Sequence, residues 1–443
     1  MKFLIPPTHW RTFIIVWSGQ MASTIGSYMT RFALTIWLWN STAQTTPIAL
    51  LAFFTEVPAL LISPLAGAIA DQFSRKKLMI LGDTVVGCST MIILLLYLTD
   101  NLELWHLYLT GAFNGAFIRL QKLAYTASIT MLVPQEGYTR ASGMGSVLHY
   151  GSVIIAPAVA GALYPVVDLL GILCVDLITF IVAVTTVLFV TIPHPLSASP
   201  SLIQVKPGSS LWQQIKFGFE YIFTRPSLLS LIIIAALFQF FHDIGKTLYS
   251  PMILARSGND TQALGIVSAA AGIGGIFGSI VISVWRTKGR KINLFFLSIM
   301  GAGLSKTVFG MGQNLLIWFP TQFLSSISFP IMGSAKQAII ITKVEANIQG
   351  RIIASSSALI GVASPLAKLI AGFLTDQVFT PAMEPGGFLT IIFGGIFGVG
   401  NGSGIALLYT LSSVGLIIVG ISAYSLPKLR EIETLLPDAK RMF

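Results

Sequence analysis

Long apolar runs constrain this chain more than any other feature of its sequence. Twelve of them, each long enough for a helix that crosses a bilayer, are separated by short charged segments. Within a bilayer a chain must satisfy its own backbone hydrogen bonds, which a helix does. The runs therefore predict an all-α integral membrane protein with twelve transmembrane helices. They lie at about 12–37, 47–70, 78–98, 104–132, 141–165, 169–192, 227–252, 262–285, 292–312, 315–342, 351–379 and 402–426.

The low charge content excludes a soluble protein. Only 10% of the 443 residues are charged and 54% are hydrophobic, whereas soluble domains carry about 25% charged residues. A net charge of +10 also suits nucleic-acid binding, but the cations lie in loops between apolar runs, which indicates membrane orientation instead. Cys88 and Cys174 lie inside apolar runs without metal-ligand spacing. The sequence therefore predicts no nucleic-acid partner, no metal and no cofactor.

The charged loops predict how the chain is oriented. Loops on one side of the predicted helices carry nearly all the loop cations, whereas the opposite loops carry only Arg256. Because basic loops stay in the cytoplasm, both termini are predicted to be cytoplasmic, in a multi-pass protein of the cell membrane. The first run begins after Arg11 and is too long for a cleavable signal peptide, so it is expected to remain as an anchor.

Two six-helix bundles with a linker between them are predicted. The linker begins with a run rich in Pro and Ser, which predicts flexibility. Its later part, Leu211–Phe223, has apolar residues at helical spacing, which predicts an amphipathic helix at the inner membrane interface. The apolar segment Gly387–Gly400 is too short for a span and is expected to be re-entrant or interfacial. The predicted parts are an N-terminal bundle at 1–192, the linker at 193–226, a C-terminal bundle at 227–426 and a cytoplasmic tail at 427–443.

A charged hinge, Gly67–Lys77, separates the second and third apolar runs. Within it, Asp71 precedes three cations, Arg75, Lys76 and Lys77. The second half of the chain repeats this hinge at an offset of 211 residues, with Ile282 in place of the acid. Parallel repeats of this kind are typical of transporters. The matching pairs are Gly67 with Gly278, Arg75 with Arg286, Lys77 with Lys288, Arg140 with Arg351, and Gly161 with Gly372.

These features resemble the major facilitator superfamily of transporters. The hinge spacing is similar to the superfamily's loop 2–3 signature, and two six-helix halves with a long central loop are similar to its fold. Gly151, Pro157 and Gly161 resemble its antiporter motif in helix 5, with Ala156 in place of one Gly. Other segments resemble the drug:proton antiporter-3 branch, which includes macrolide-efflux proteins and enterobactin exporters. They are Trp17-Ser-Gly19-Gln20 with Ser23 and Gly26, and Cys174-Val-Asp176 with Thr179-Phe180; Arg119-x-Gln121 loosely resembles a third superfamily motif.

Asp71 is predicted to act as a gating latch. It ends helix 2 on the cytoplasmic side, where it can accept hydrogen bonds from exposed amides at the start of helix 11, near Ser355 and Ser356. Arg75 would complete the latch with a carboxylate, and Asp83 and Glu136 are both candidates. In the alternative interpretation the hinge cations only set the membrane topology.

Small residues and prolines in helices 5 and 11 suggest close helix packing. Pro157 and Gly161 are expected to kink helix 5 and to let a neighbouring helix approach. Ser364, Pro365 and Gly372 are expected to do the same in helix 11. Ordinary packing of membrane helices is the alternative explanation.

Ionisable residues inside the spans are costly in a bilayer, so each is a candidate for function. Glu56, Asp176 and Asp243 are the candidates for carrying a proton, with Glu56 first. Alternatively, each acid is the structural partner of a nearby cation, such as Arg31 or Lys246.

Cations outnumber acids within the spans. Lys122 and Lys336 are expected to extend their ammonium groups toward the inner membrane face. Arg31, Arg119 and Lys368 are candidates for lining a cavity that prefers anionic cargo.

No enzymatic chemistry is predicted. Gly245-Lys246-Thr247 lacks the upstream Gly of a phosphate-binding loop, and Gly272-x-Gly274 lacks the third Gly of a dinucleotide site. The resemblance to the superfamily then implies a monomeric secondary active transporter that exports a small organic molecule in exchange for protons, by alternating access. The alternatives are uptake or uncoupled facilitation by the same fold, and a membrane receptor or scaffold that transports nothing.

Overall fold

Helices joined by short turns make up the structure. The computed structural model describes residues 9–190, 211–284, 289–345 and 348–435, and no strand occurs among them. The longer helices are α1 (His9–Thr42), α2 (Thr46–Gln72), α3 (Arg75–Leu98), α4 (Leu104–Leu132), α5 (Tyr138–Phe189), α6 (Leu211–Phe223), α7 (Pro226–Ser257), α8 (Thr261–Val284), α9 (Lys291–Met311), α10 (Leu315–Lys343), α11 (Gln349–Gly361), α12 (Ala363–Leu374) and α15 (Ser403–Ser425). The short helices are α13 (Thr380–Ala382), α14 (Thr390–Phe397), α16 (Pro427–Arg430) and α17 (Ile432–Leu435), with a 3-10 turn at Gln135–Gly137 and a π turn at Thr375–Phe379.

The helices have the length and apolar character of membrane spans. Within the described residues, nine helical segments are long and apolar enough to cross a membrane. One of these segments is α5, whose 52 residues contain a break at Asp168, where φ is 52° and ψ is −166°. This break falls between the fifth and sixth predicted spans, and Asp168 accepts a hydrogen bond from Tyr97 Oη at 2.8 Å there. The all-α membrane fold is thus confirmed, while the count of twelve spans stays a prediction.

The chain divides into two compact units. Unit 1 comprises Met1–Ser197 and Ile253–Gly272, and unit 2 comprises Ala198–Met252 and Ile273–Phe443. In unit 1, α1 packs along α5, α2 packs on α4, and α3 packs on both α4 and α5. In unit 2, α9 packs against both α10 and α15. Each unit has its own apolar core, around Phe13 and Met79 in unit 1 and around Phe238 and Phe295 in unit 2.

Helix α6 covers the same residues as the predicted amphipathic helix, and it docks on α11 within unit 2. Ile222 is fully buried in the core, whereas Lys216 and Glu220 are exposed. Gly218 lies so close to Ser355 that a Cβ at position 218 would collide with the Ser355 hydroxyl. The Arg351 guanidinium lies 6.0 Å from the centre of the Phe217 ring. Contacts with α11 therefore hold α6, and its location at the membrane interface stays a prediction.

The apolar segment Gly387–Gly400 contains α14, whose eight residues are too few to cross a bilayer. The helix predicted at 351–379 is divided between α11 and α12 around Val362. Pro365 explains this division, because it has no amide hydrogen to donate to the carbonyl of Gly361.

Candidate functional site

The cations of the first hinge tie helix ends together inside unit 1. Arg75 begins α3 and donates from Nη1 to the backbone oxygen of Ala127 at 2.7 Å. Lys76 donates from Nζ to the oxygens of Leu188 and Val190, at 2.9 and 2.7 Å. Arg75 and Lys76 thereby join the start of α3 to the last two turns of α4 and to the end of α5, where the helix C-terminal carbonyls lack intrahelical donors. Lys77 is exposed.

Several hinge residues lie outside the described part of the chain. Gly67 and Asp71 fall within α2, but their surroundings and the side chain of Asp71 are not described. Arg286 and Lys288 lie outside the described residues. Among the described residues Arg75 donates to a backbone carbonyl, while Asp83 is bonded to two glutamines and Glu136 is exposed, so a carboxylate partner for Arg75 stays a prediction. The expected start of helix 11 also needs correction. Helix α11 begins at Gln349, so Ser355 and Ser356 lie in its second turn and are buried.

Asp83 lies at the centre of a buried polar cluster contributed by three helices. Gln20 Nε2 of α1 donates to Asp83 Oδ2 at 2.9 Å, and Gln121 Nε2 of α4 donates to Asp83 Oδ1 at 3.3 Å. Gln121 Nε2 also donates to Gln20 Oε1. Asp83 is only 7% exposed, and no described cation lies within 4 Å of its carboxylate. We call these three residues the Asp83 cluster.

The Asp83 cluster can accommodate two charge states. When the carboxylate is ionised, both glutamines present N–H donors to it. When the acid is protonated, its hydroxyl needs an acceptor, and rotating the two side-chain amides would present an oxygen instead, since an amide carries both donor and acceptor groups. Asp83 lies eight residues after the start of α3, or about 12 Å along the helix at 1.5 Å per residue.

Hydroxyl groups hold the carboxylate of Asp176, in contrast to the amides around Asp83. Ser27 and Thr30 of α1 donate to its two oxygens at 3.2 and 2.9 Å, and Thr90 of α3 donates at 2.9 Å. The side chain is 2% exposed. Gly26 packs directly on this group, since a Cβ there would lie 2.9 Å from Asp176 Oδ1. Three hydroxyl donors satisfy the carboxylate, so its contacts are with hydroxyls and not with the cation that sequence reasoning considered.

Gly151, Pro157 and Gly161 differ in how closely they approach their neighbours. A Cβ at Gly161 would lie 2.6 Å from the backbone oxygen of Thr261 and 3.1 Å from Gly265 Cα. Thr261 Oγ1 also donates to the Gly161 oxygen at 3.0 Å. Gly151 only approaches the flexible end of Met21, and the backbone remains helical at Pro157. Gly161 is therefore the position of close backbone approach, between α5 and the start of α8.

Gly278 has a packing role within unit 2. A Cβ at Gly278 would collide with the backbone oxygen of Ile327, and one at Gly274 would collide with that of Phe323. Both contacts join α8 to α10. Small residues four apart permit such backbone approach between membrane helices. The same spacing occurs at Gly111 and Gly115 of α4, which pack on Thr55 of α2.

Asp243 belongs to a buried charged cluster in unit 2. Its Oδ2 accepts from Gln239 Nε2 at 2.7 Å, and its Oδ1 lies 4.0 Å from His242 Nε2. The other ring nitrogen of the imidazole, His242 Nδ1, lies 2.9 Å from Lys306 Nζ of α9. Asp243 is 1% exposed and Lys306 is 4% exposed. A histidine thus connects a buried acid to a buried ammonium group.

The remaining predicted residues are spread over both units. Glu56 is half-buried in α2. Arg31 is exposed and lies over the Tyr28 ring, and Arg119 is exposed and donates to Ser63 Oγ at 2.9 Å. Lys368 is buried, with Nζ 3.2 Å from Ser364 Oγ.

Sequence reasoning missed the Asp83 cluster and the link between His242 and Lys306. Gln20, Gln121 and Asp83 are separated by long stretches of sequence, and Lys306 is 64 residues from His242. The sequence signal that could have indicated these clusters is the presence of polar residues within apolar helices. Gln20 and Gln121 belong to two segments that resemble superfamily motifs, yet only the packing of α1, α3 and α4 brings them together.

The described residues form apolar helices of membrane-spanning length in two compact units, and polar clusters are buried inside each unit. The sequence profile of the Major Facilitator Superfamily matches residues 16–367. The chain belongs to this superfamily.

Curated relatives and a solved structure agree with this placement. Macrolide efflux protein A of Streptococcus pyogenes is 23% identical over 369 residues, covering 83% of this chain and 90% of that protein. Enterobactin exporter EntS of Escherichia coli O1:K1 / APEC is 21% identical over 302 residues, covering 68% of this chain and 70% of that protein. The crystal structure of the nucleoside transporter NupG has a TM-score of 0.70 at 12% identity, covering 94% of this chain and 99% of that chain, which shows a shared fold.

Proposed function

We propose that this protein is a secondary active exporter that moves a small organic molecule out of the cell in exchange for protons. It acts in the cell membrane as a monomer with both termini in the cytoplasm. Membership of the Major Facilitator Superfamily supports transport, and relatives named for macrolide efflux and enterobactin export support the direction. A drug of the macrolide type or a molecule of the siderophore type is the proposed cargo.

The Asp83 cluster is the observation that carries the proton-coupling proposal. A buried carboxylate without a cationic partner holds its charge at a cost, whereas protonation removes that charge. The two glutamine amides stabilise the ionised form and, after rotation, the neutral form. Asp83 can therefore take up and release a proton while it stays hydrogen-bonded to at least one glutamine amide in either state, as exchange across a membrane requires.

The three acids predicted from the sequence rank behind Asp83. Asp176 already receives three hydroxyl donors, which stabilise its charged form. Asp243 lies beside His242 and interacts electrostatically with Lys306, so a neighbouring cation stabilises its charged form. Glu56 is less buried than any of these. They stay alternative positions for the proton.

Everted membrane vesicles test this function. Respiration acidifies the vesicle interior and quenches an acridine dye, and addition of an exchanged cargo releases protons and restores fluorescence. We expect recovery with at least one member of a panel containing a macrolide, a catecholate siderophore and an aromatic acid. Cargo movement that is indifferent to the pH gradient would contradict proton coupling, and accumulation in whole cells would contradict export.

The latch at Asp71 stays a proposal from the sequence. Asp71→Asn is expected to lower the rate of gradient-driven export by up to about thirtyfold, since an anion at a helix N-terminus contributes up to about 2 kcal/mol. The second copy of the hinge offers a matched control, because Ile282 replaces the acid there. Ile282→Val should leave the rate unchanged. Equal effects of the two substitutions, measured in the same vesicles, would refute the latch.

A further inference from the structure

A polar stripe runs along one face of α7. Gln239, Asp243, Lys246 and Ser250 are spaced by four, three and four residues, which places them on one side of a helix. Ionisable side chains in a membrane helix avoid lipid and face protein or a water-filled cavity. Asp243 is buried, while Lys246 is not covered by other residues of the described chain. The stripe therefore leads from an accessible side chain to a buried charged group.

The buried end of this stripe is the Lys306 cluster, which consists of His242, Asp243 and Lys306 with the rings of Phe329 and Tyr409. An ammonium group has donors only, so His242 Nδ1 accepts from Lys306 and the ring proton resides on Nε2, which faces Asp243. The Lys306 ammonium lies 5.8 Å from the centre of the Phe329 ring and 5.7 Å from that of Tyr409. The His242 and Phe329 ring centres are 4.5 Å apart. Aromatic surfaces thus flank a buried cation.

Positive charge exceeds negative charge around this cluster. Lys306 and Lys246 both act electrostatically on His242, and Lys246 also acts on Lys306. Asp243 is the carboxylate that acts on Lys306, and one of its oxygens is already engaged by Gln239. A single carboxylate cannot balance two ammonium groups. An additional anion would therefore be stabilised here, because it pairs with a buried cation that has no full counter-charge.

We propose that the Lys306 cluster binds the acidic group of an aromatic cargo molecule, as a carboxylate or a phenolate. The acid pairs with the Lys306 ammonium, and the aromatic part of the cargo packs on the half-buried Phe329 ring, where offset ring contacts are favourable. Asp243 competes with the cargo for Lys306. This binding site deepens the export function proposed above and rests on it.

Equilibrium binding tests the proposal without any gradient. The full chain in lipid nanodiscs is dialysed against radiolabelled 2-naphthoate, its neutral analogue 2-naphthamide and its cationic analogue 2-naphthylmethylammonium. Empty nanodiscs measure how much of each probe partitions into lipid. We expect 2-naphthoate to bind at least about tenfold more tightly than either analogue, as a charge-assisted hydrogen bond provides. Absence of 2-naphthoate binding, or a preference for the cationic probe, would overturn the proposal.

Substitutions then locate the binding site. Lys306→Gln should weaken 2-naphthoate binding at least about tenfold, while Lys306→Arg should retain most of it. Asp243→Asn should tighten binding severalfold, because it removes the competing carboxylate. Lys428→Gln, at an exposed position in the C-terminal segment, removes a cation far along the chain and should change nothing. Binding unchanged in Lys306→Gln, or weakened in Asp243→Asn, would contradict the proposed site.

These outcomes separate the two proposals. If 2-naphthoate binds with the expected dependence on Lys306 while vesicles show no response to the pH gradient, proton coupling fails and the binding site stands. If vesicles show proton exchange with a macrolide while 2-naphthoate does not bind, the export function stands and the site fails.

Discussion

Asp83→Asn is expected to abolish export driven by a pH gradient while cargo exchange without a gradient continues. Asparagine has nearly the same shape as aspartate and can still bond to Gln20 and Gln121, but it cannot gain or lose a proton. We expect the gradient-driven initial rate in everted vesicles to fall about a hundredfold, the low end of the loss when a positioned proton-transfer group is removed. Counterflow of labelled cargo at equal pH on both sides should persist.

Asp176→Asn provides the matched control in the same unit. Its carboxylate accepts three hydroxyl bonds, so an amide there leaves polar groups poorly paired and should cost about 1–3 kcal/mol of stability. Gradient-driven export and counterflow should then fall together, in proportion to the folded protein. Undiminished gradient-driven export in Asp83→Asn, or a selective loss of coupling in Asp176→Asn, would show that Asp83 is not the proton site.

Gly115→Ala is expected to destabilise the protein strongly. A Cβ at this position would collide with the backbone oxygen of Thr55, so α2 and α4 would have to separate. Backbone cannot yield as a flexible side chain can, and overpacking of this kind costs about 3 kcal/mol. Thermal stability of the detergent-solubilised protein, followed by size-exclusion chromatography after heating, measures the effect.

Gly143→Ala is the control for this substitution. Gly143 is also helical, and no atom of the described chain lies within 4 Å of a Cβ placed there. Its stability should stay the same or rise by up to about 1 kcal/mol, because Ala has a higher helix propensity than Gly. Gly151→Ala, which would approach only the flexible end of Met21, should also be mild. Equal losses at positions 115 and 143 would show that the contact with Thr55 is not the cause, since helix propensity by itself favours Ala over Gly.

The sequence predicted that some residues belong to functional sites, but it did not predict which residues they contact. Asp243 was recognised as a costly intramembrane acid, yet its link through His242 to Lys306 depends on how α7 and α9 pack. Arg75 was recognised as part of the hinge, and the partner seen among the described residues is the backbone oxygen of Ala127 in α4. Asp83 was considered as a partner for Arg75 and not as a proton carrier. The two glutamines that surround it come from α1 and α4, and no local pattern connects them.

The two arginines that the repeat pairs likewise have contacts that the sequence does not reveal. The offset of 211 residues pairs Arg140 with Arg351, and each guanidinium lies over an aromatic ring in its own unit. The ring over Arg140 is that of Trp10 at the start of α1, whereas the ring over Arg351 is that of Phe217 in α6. The repeat was visible in the sequence, but the partners were not.

The sequence by itself determined the membrane environment, the helical class and the superfamily. A bilayer allows few solutions for a long apolar run, so the length of the runs and the motifs between them are sufficient for these conclusions. The tertiary structure alone decided which polar groups meet. The contacts of Asp83, Asp176 and Lys306 join residues far apart in the chain, and their chemistry depends on the distances and donors that helix packing sets.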